Sequence, residues 1–305
     1  MLVGGMFGTA FVFAASNYAA DIEKDDGEYF SIADDAQRGL DISGSITIEL
    51  WVKPESLPQE NEIWPLAAKW EYAPIANRSY TLLYWGKDGD ADYLRFQVSD
   101  DGTTESGHTA HHDYTVGDLP TDAWTHLAVS YDAESGDGAW YVNGNAVAAF
   151  RWDVKSIYDS SSPFLVGHAQ GVDYYDGLID EVRVWSGARS ADEIKSDYAR
   201  ELYGVETGLA GYWKMNEFSD GSMSVTRLDA TENGNDLENH NTVASLEDTP
   251  FPASEEPDNV SPALLVRKSD NAPVEVAIPA SPAKPKEYAD ATTVPAVPAA
   301  PALPN

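Results

Sequence analysis

The chain has 305 residues, 43% of them apolar and 11% aromatic, enough for one large β domain with tails. Its 51 acidic residues against 19 basic ones give a net charge of −32, which argues against nucleic acid or an anionic membrane surface as partner, since both need a positive patch. There is no cysteine, so disulfides and thiolate metal sites are excluded.

Residues Met1 to Ala15 are uncharged and apolar, and too few for an ordinary membrane span. The run resembles the apolar centre of a secretory signal peptide without its basic lead; a first β-strand and an uncleaved anchor are the other readings. From Ser16 the pattern is nearly all β. Strands are expected at Tyr18–Ile22, Tyr29–Ile32, Ile46–Lys53, Pro65–Trp70, Tyr80–Trp85, Tyr93–Val98, His126–Tyr131, Ala139–Val142 and Ala146–Phe150. In the clearest of them, Ile46, Ile48, Leu50 and Val52 alternate with Thr47, Glu49, Trp51 and Lys53. Asn143-Gly144 predicts a tight hairpin, because both residues tolerate positive φ.

Phe164 to Trp185 reads as two strands around a polar, aromatic loop, and Asp180-Glu181 interrupts the second one as a bulge would. Ser190 and Glu193 form a capping box for a helix over Ala191–Leu202, with Gly204 able to end it. Leu209–Met215 is a late strand, and Asp229–Asp236 is a polar loop. Twelve of the eighteen prolines lie between Pro250 and Pro304, which predicts an extended or disordered tail. The organisation expected is a leader or anchor over 1–15, a domain over 16–250 and a tail over 251–305.

Several stretches together resemble the laminin G-like jelly-roll family of the concanavalin A-like lectin/glucanase superfamily. They are Ser45–Pro54 (SITIELWVKP), Asp122–Gly144, Pro163–Ala169 (PFLVGHA), Asp176–Ile194 (DGLIDEVRVWSGARSADEI) and Leu209–Glu217 (LAGYWKMNE), followed by Glu232–Asp236 (ENGND). The resemblance implies an all-β, two-sheet antiparallel jelly-roll sandwich with one short helix. It also implies an extracellular or cell-surface module that binds carbohydrate or protein, often beside a structural Ca²⁺, and that is frequently not catalytic.

Sandwich glucanases of that superfamily use paired carboxylates, in one family spelled E-x-D-x-x-E. Glu23 to Glu28 has this spelling, but the run is a charged Asp-Gly turn, expected to be a solvated hairpin turn. No G-x-S-x-G or HExxH pattern occurs, so no catalytic residues are assigned. Calcium needs six to eight oxygen ligands. The Asp229–Asp236 loop offers Asp229, Glu232, Asn233, Asn235 and Asp236, which Asp180 and Glu217 could join; the alternative is an ordinary acidic turn. His108, His111 and His112 read as solvated loop histidines.

A sugar site needs exposed aromatic faces beside polar groups. Tyr174 and Tyr175, flanked by Asp173 and Asp176, meet that description, and Trp85 and Trp152 are further candidates, as are Trp64, Trp70 and Tyr72. The plainer reading of these tryptophans is core packing. Asn77-Arg78-Ser79 spells a glycosylation acceptor. The function expected is a secreted, non-catalytic glycan-binding module; the alternative is an adhesive or spacer module for an extracellular protein partner, with a glycosidase third.

Overall fold

The computed structural model describes residues 17–72, 77–87 and 91–251. The leader or anchor expected over 1–15, and the tail expected over 251–305 except Phe251, lie outside those residues. The strands are β1 Ala19–Ile22, β2 Tyr29–Ile32, β3 Ile46–Pro54, β4 Ile63–Trp70, β5 Arg78–Trp85, β6 Tyr93–Ser99, β7 Thr109–Thr115 and β8 Thr125–Tyr131. They continue as β9 Asp137–Val142, β10 Asn145–Arg151, β11 Phe164–Val166, β12 Gly177–Trp185, β13 Leu209–Trp213, β14 Glu238–His240 and β15 Ala244–Leu246, with one helix, α1, at Ala191–Asp197. Among the described residues, no helix is long and apolar enough to cross a membrane.

The strands form two antiparallel sheets. One runs β10-β9-β8-β3-β12-β1-β15, and the other runs β14-β2-β11-β4-β5-β6-β7. This is the expected all-β sandwich. Strand β12 organises the first sheet. One edge pairs with β3 along its length; the other pairs with β1 and then with β13. The break falls at the Asp180-Glu181 bulge, where Glu181 has φ of 54°. The inner faces of the sheets bury Phe30, Ile48, Leu50, Trp64, Leu82, Phe96, Leu127, Trp140, Val182 and Trp213 in one core. Asn143 and Gly144 take positive φ, 50° and 69°, and close the β9–β10 hairpin as expected.

Four findings extend or correct the sequence reading. First, the outer face of β3 is buried at Thr47, Glu49 and Trp51. The helix roofs this sheet, with Ile194 packed on Ala128 and Tyr141, and Trp51 Nε1 donates to Tyr198 O at 2.9 Å. Second, α1 has the expected capping box but stops at Asp197. Arg183 donates to the carbonyls of Asp197 and Arg200, at 3.1 and 2.6 Å, satisfying groups that end the helix. Third, Glu23 to Glu28 is no hairpin: it carries the chain from β1 in one sheet to β2 in the other through a short turn with Gly27 at φ of 67°. Fourth, His111 and His112 lie on strand β7, which sequence periodicity did not mark.

Candidate functional site

Two pairs of stacked rings meet where β2 begins and β14 ends. Tyr29 and His240 sit opposite each other in the β2–β14 register, and their rings stack at 4.2 Å with an interplanar angle of 4°. His168, just beyond β11, stacks on Tyr174 at 4.0 Å and 8°. Tyr29 lies 5.1 Å from His168 and 6.0 Å from Tyr174, so the four rings form one cluster. Tyr29, Tyr174 and His240 are half-buried and present part of their surface to solvent. Burial holds the His168 and His240 imidazoles below the usual histidine pKa, so they are neutral flat faces at pH 7. His168 Nδ1 carries its proton, since its partner at 3.3 Å is the Asp173 carbonyl.

A groove of about 540 Å³ adjoins the rings, lined by Asp21, Glu23, Asp26, Glu28, Gly221, Asn241, Thr242 and Ala244. Asn241 Nδ2 donates to the carbonyls of Asp26 and Gly27 at 3.1 and 2.8 Å, which ties the β14–β15 turn to the β1–β2 turn. A Cβ on Gly27, which lies between the lining residues Asp26 and Glu28, would stand 3.4 Å from Asn241 and 3.7 Å from the Tyr174 ring, so the groove and the rings are neighbours. Carboxylate oxygens of Asp21, Glu23 and Glu55 come within 4.8 Å of one another. Burial, then the charges of Glu55 and Asp176, raises the Asp21 carboxyl, whose Oδ1 is buried without a hydrogen-bond partner. Glu28 is 6% exposed, and burial pushes its carboxyl up to about 7, against a hydrogen bond from the Glu23 N–H at 3.0 Å.

The residues expected at a sugar site divide. Tyr174 belongs to the ring cluster. Tyr175 does not: it is fully buried, its hydroxyl donates to Leu178 O at 3.2 Å, and its ring meets Trp64 edge-on at 5.7 Å. Asp173 is exposed and accepts the Ile63 N–H at 3.0 Å. Asp176 accepts from the Ser56 hydroxyl and, at 3.5 Å, from the Lys24 N–H, which pins the loop. Trp152 is corrected to a core residue, stacked on Phe96 at 5.6 Å. Trp64 and Trp70 are also fully buried. Trp85 is half-buried on the outside of the second sheet, stacked on Tyr93 at 5.5 Å, with the Arg95 guanidinium 4.4 Å from its ring. Asp113 holds Arg95 by two bonds of 2.6 and 2.8 Å. Tyr29, His168, His240 and Asn241 were missed, because no sequence pattern joins three such distant segments.

The expected metal set does not fit a cation. Both Asp229 oxygens are occupied within the protein: Oδ1 accepts from Tyr212 N and Thr231 N, and Oδ2 from Thr231 Oγ1 and Asn235 N, all between 2.8 and 3.1 Å. Asp236 accepts the Asp229 N–H at 2.9 Å. Asn233 donates to Ala210 O, and Asn235 bonds both the N–H and the carbonyl of Arg38. Asp180 is 1% exposed, its Oδ1 accepts the Glu181 N–H at 2.8 Å, and burial and its neighbour Glu181 raise its carboxyl well above the usual range. Glu217 Oε2 is buried with no partner, and burial raises that carboxyl too. His112 is no ligand either: its Nδ1 accepts from Trp140 Nε1 at 3.0 Å and its ring stacks on Phe150. The Asn77 amide donates to Glu71 at 2.7 Å and accepts from Ser161 N at 3.0 Å, so the sequon side chain is engaged.

None of the curated proteins compared with the chain matches it. Among solved structures, a candidate carbohydrate-binding protein from Bacteroides ovatus is 20% identical with a TM-score of 0.56; the match covers 78% of this chain and 62% of that one. A module of the Ruminococcus gnavus IT-sialidase, CBM40, bound to α2,3-sialyllactose is 17% identical over 58% of this chain and 95% of its own, with a TM-score of 0.45. A heptameric SAP-like pentraxin from Limulus polyphemus is 10% identical over 60% of this chain and 82% of its own, with a TM-score of 0.42. The chain thus spans less than two thirds of the Bacteroides protein, and at these identities the likeness concerns the fold alone. Residues 24–195, more than half of the chain, match the family model Laminin_G_3, and by that match the chain belongs to this laminin G-like family of the concanavalin A-like lectin/glucanases superfamily.

Proposed function

We propose that this is a non-catalytic carbohydrate-binding module, acting outside the cell or at its surface, whose glycan stacks on Tyr29, Tyr174 and His240 and places hydroxyls in the adjoining acidic groove. The observation that carries the reading is this adjacency: the ring cluster lies next to a groove of hydrogen-bond acceptors, the pairing an amphipathic sugar ring requires. The Bacteroides ovatus protein of the same fold is itself a candidate carbohydrate-binding protein, which agrees with this reading. A glycan-array screen of the full chain, with Tyr29→Ala and Tyr174→Ala beside it, tests the site. Binding that disappears in both variants supports it; binding that both retain removes it.

A Ca²⁺ ion would be held by Asp21, Glu23 and Glu55 in preference to the Asp229–Asp236 loop, because their carboxylate oxygens converge within 4.8 Å while both Asp229 oxygens are spent on hydrogen bonds within the protein. A second reading, adhesion to a protein partner, is favoured by Phe218 and Met223, which are 60% and 70% exposed on one loop. Silence on the array together with capture of a defined extracellular protein would favour it.

A further inference from the structure

The groove beside the ring cluster is unbalanced in charge. Asp21, Glu23, Asp26 and Glu28 line it, and no basic side chain does. The lysine of that run is turned elsewhere: Lys24 Nζ lies 3.5 Å from Glu62 and 5.1 Å from the centre of the Trp64 ring. Burial, then the charges of Glu55 and Asp176, raises the Asp21 carboxyl. Burial, then the charges of Asp21, Glu55, Asp176 and Asp26, raises that of Glu23. A cationic group of the protein close by would pull both down.

The groove also holds carboxylate oxygens with no donor. Asp21 Oδ1 is buried without a hydrogen-bond partner. Glu28 is 6% exposed; its Oε2 accepts the Glu23 N–H at 3.0 Å, and Oε1 accepts no hydrogen bond among the described residues. The complement of such a wall is a donor with positive charge. Oxygens of Asp21, Glu23 and Glu55 lie within 4.8 Å of one another. Two acceptors bonded to one tetrahedral nitrogen stand about 4.6 Å apart, from two bonds of about 2.8 Å. Three oxygens match the three N–H donors of an ammonium, whereas Ca²⁺ takes six to eight.

The ring cluster says what carries the cation. Glu28 lines the groove and Tyr29 follows it; His240 belongs to the cluster and Asn241, next in the chain, lines the groove. Tyr29 and His240 are register partners, so the two surfaces adjoin on both strands. The groove volume of about 540 Å³ lies in the range of small-ligand clefts. We propose that the glycan is an amino sugar with a free amine, whose ring stacks on Tyr29, Tyr174 and His240 while its ammonium donates to Asp21, Glu23 and Glu28. This rests on the carbohydrate reading and names the class of sugar.

The test is calorimetric titration of the full chain, in EDTA to keep divalent cations off these carboxylates. The ligands are a β-1,4-linked glucosamine oligosaccharide and the same oligosaccharide N-acetylated. The free amine form should bind at least about tenfold more tightly, because acetylation removes the charge and two of the three donors. Glu23 is exposed, so Glu23→Gln should melt with the parent while losing about tenfold in affinity for the amine form. The net charge of −32 attracts any cation, so Glu134→Gln, at an exposed position between β8 and β9, is the control and should bind as the parent does.

Equal binding of the acetylated oligosaccharide, or unchanged affinity in Glu23→Gln, overturns the proposal and leaves the carbohydrate reading standing. An equal loss in Glu134→Gln, or equally tight binding of a lysine peptide of the same charge, overturns it in favour of charge attraction alone. Absence of binding to any glycan removes both.

Discussion

Glu49 on β3 and His126 on β8 are buried diagonal neighbours, with His126 Nε2 3.2 Å from Glu49 Oε2. Trp185 Nε1 donates to the same carboxylate at 2.8 Å, and Arg183 lies 3.9 Å away. Burial by itself would raise the Glu49 carboxyl, but the His126 bond and the Arg183 charge outweigh it and hold the pKa at about 2, below the ordinary 4.5. A folded-state value below the unfolded one gives stability that is present above pH 4.5 and lost as pH falls toward 2. Thermal melts should show that acid limb. Glu49→Gln should flatten it and cost about 3–5 kcal/mol at pH 7, because Arg183 loses a buried counter-charge. An unchanged limb in the variant would count against the assignment.

Glu28 predicts the opposite dependence. Its folded pKa, about 7, lies above the ordinary 4.5, so folding favours the protonated form. Stability from this group is present below pH 4.5 and lost as pH rises toward 7. Glu28→Gln should therefore melt a few degrees higher than the parent at pH 8 and show no gain at pH 4. A variant that gains equally at both pH values would point to packing.

Asp229 fastens its loop by four bonds. Asp229→Ala should lose about 3 kcal/mol in chemical denaturation, as several charge-assisted bonds go together. If Ca²⁺ raises the melting temperature through Asp21, the milder Asp229→Asn should keep that increment and Asp21→Asn should lose it. The reverse pattern would return the ion to the Asp229–Asp236 loop.

Gly204 has φ of 84°, and a Cβ there would meet the Ala230 carbonyl oxygen at 1.9 Å. That neighbour is backbone and cannot rotate away. Gly204→Ala should cost more than about 2 kcal/mol, beyond the 1–2 kcal/mol of the left-handed conformation alone. Gly187→Ala, with nothing within 4 Å and no positive φ, is the control and should melt with the parent.

Much of the fold was legible because its long strands alternate. β3 and β6 read correctly from Ile46–Val52 and Leu94–Val98, and Ser190–Glu193 marked the helix start. β7 escaped because its inner positions are Ala110, His112 and Tyr114, a weak apolar signal. β14 and β15 are three residues each, too short for a period to show. The site was half legible for a related reason. Adjacent Tyr174 and Tyr175 look alike in sequence, yet one is half-buried and the other enters the core. Tyr174 gains its meaning only beside His168, Tyr29 and His240, which topology brings together.

Strand β15 pairs with β1 so that Ala19 lies opposite Leu246, and Asn17 Nδ2 reaches Phe251 O at 3.3 Å. The two ends of the folded unit thus leave as one seam. A pull applied between them would load the three β1–β15 pairs one after another, as a zipper opens, and not all at once in shear. A module tethered through both ends would yield at that seam at low force. A circularly permuted chain, with the seam joined by a short linker and new ends opened at the exposed Glu134 turn, should carry the same sandwich on a stiffer frame.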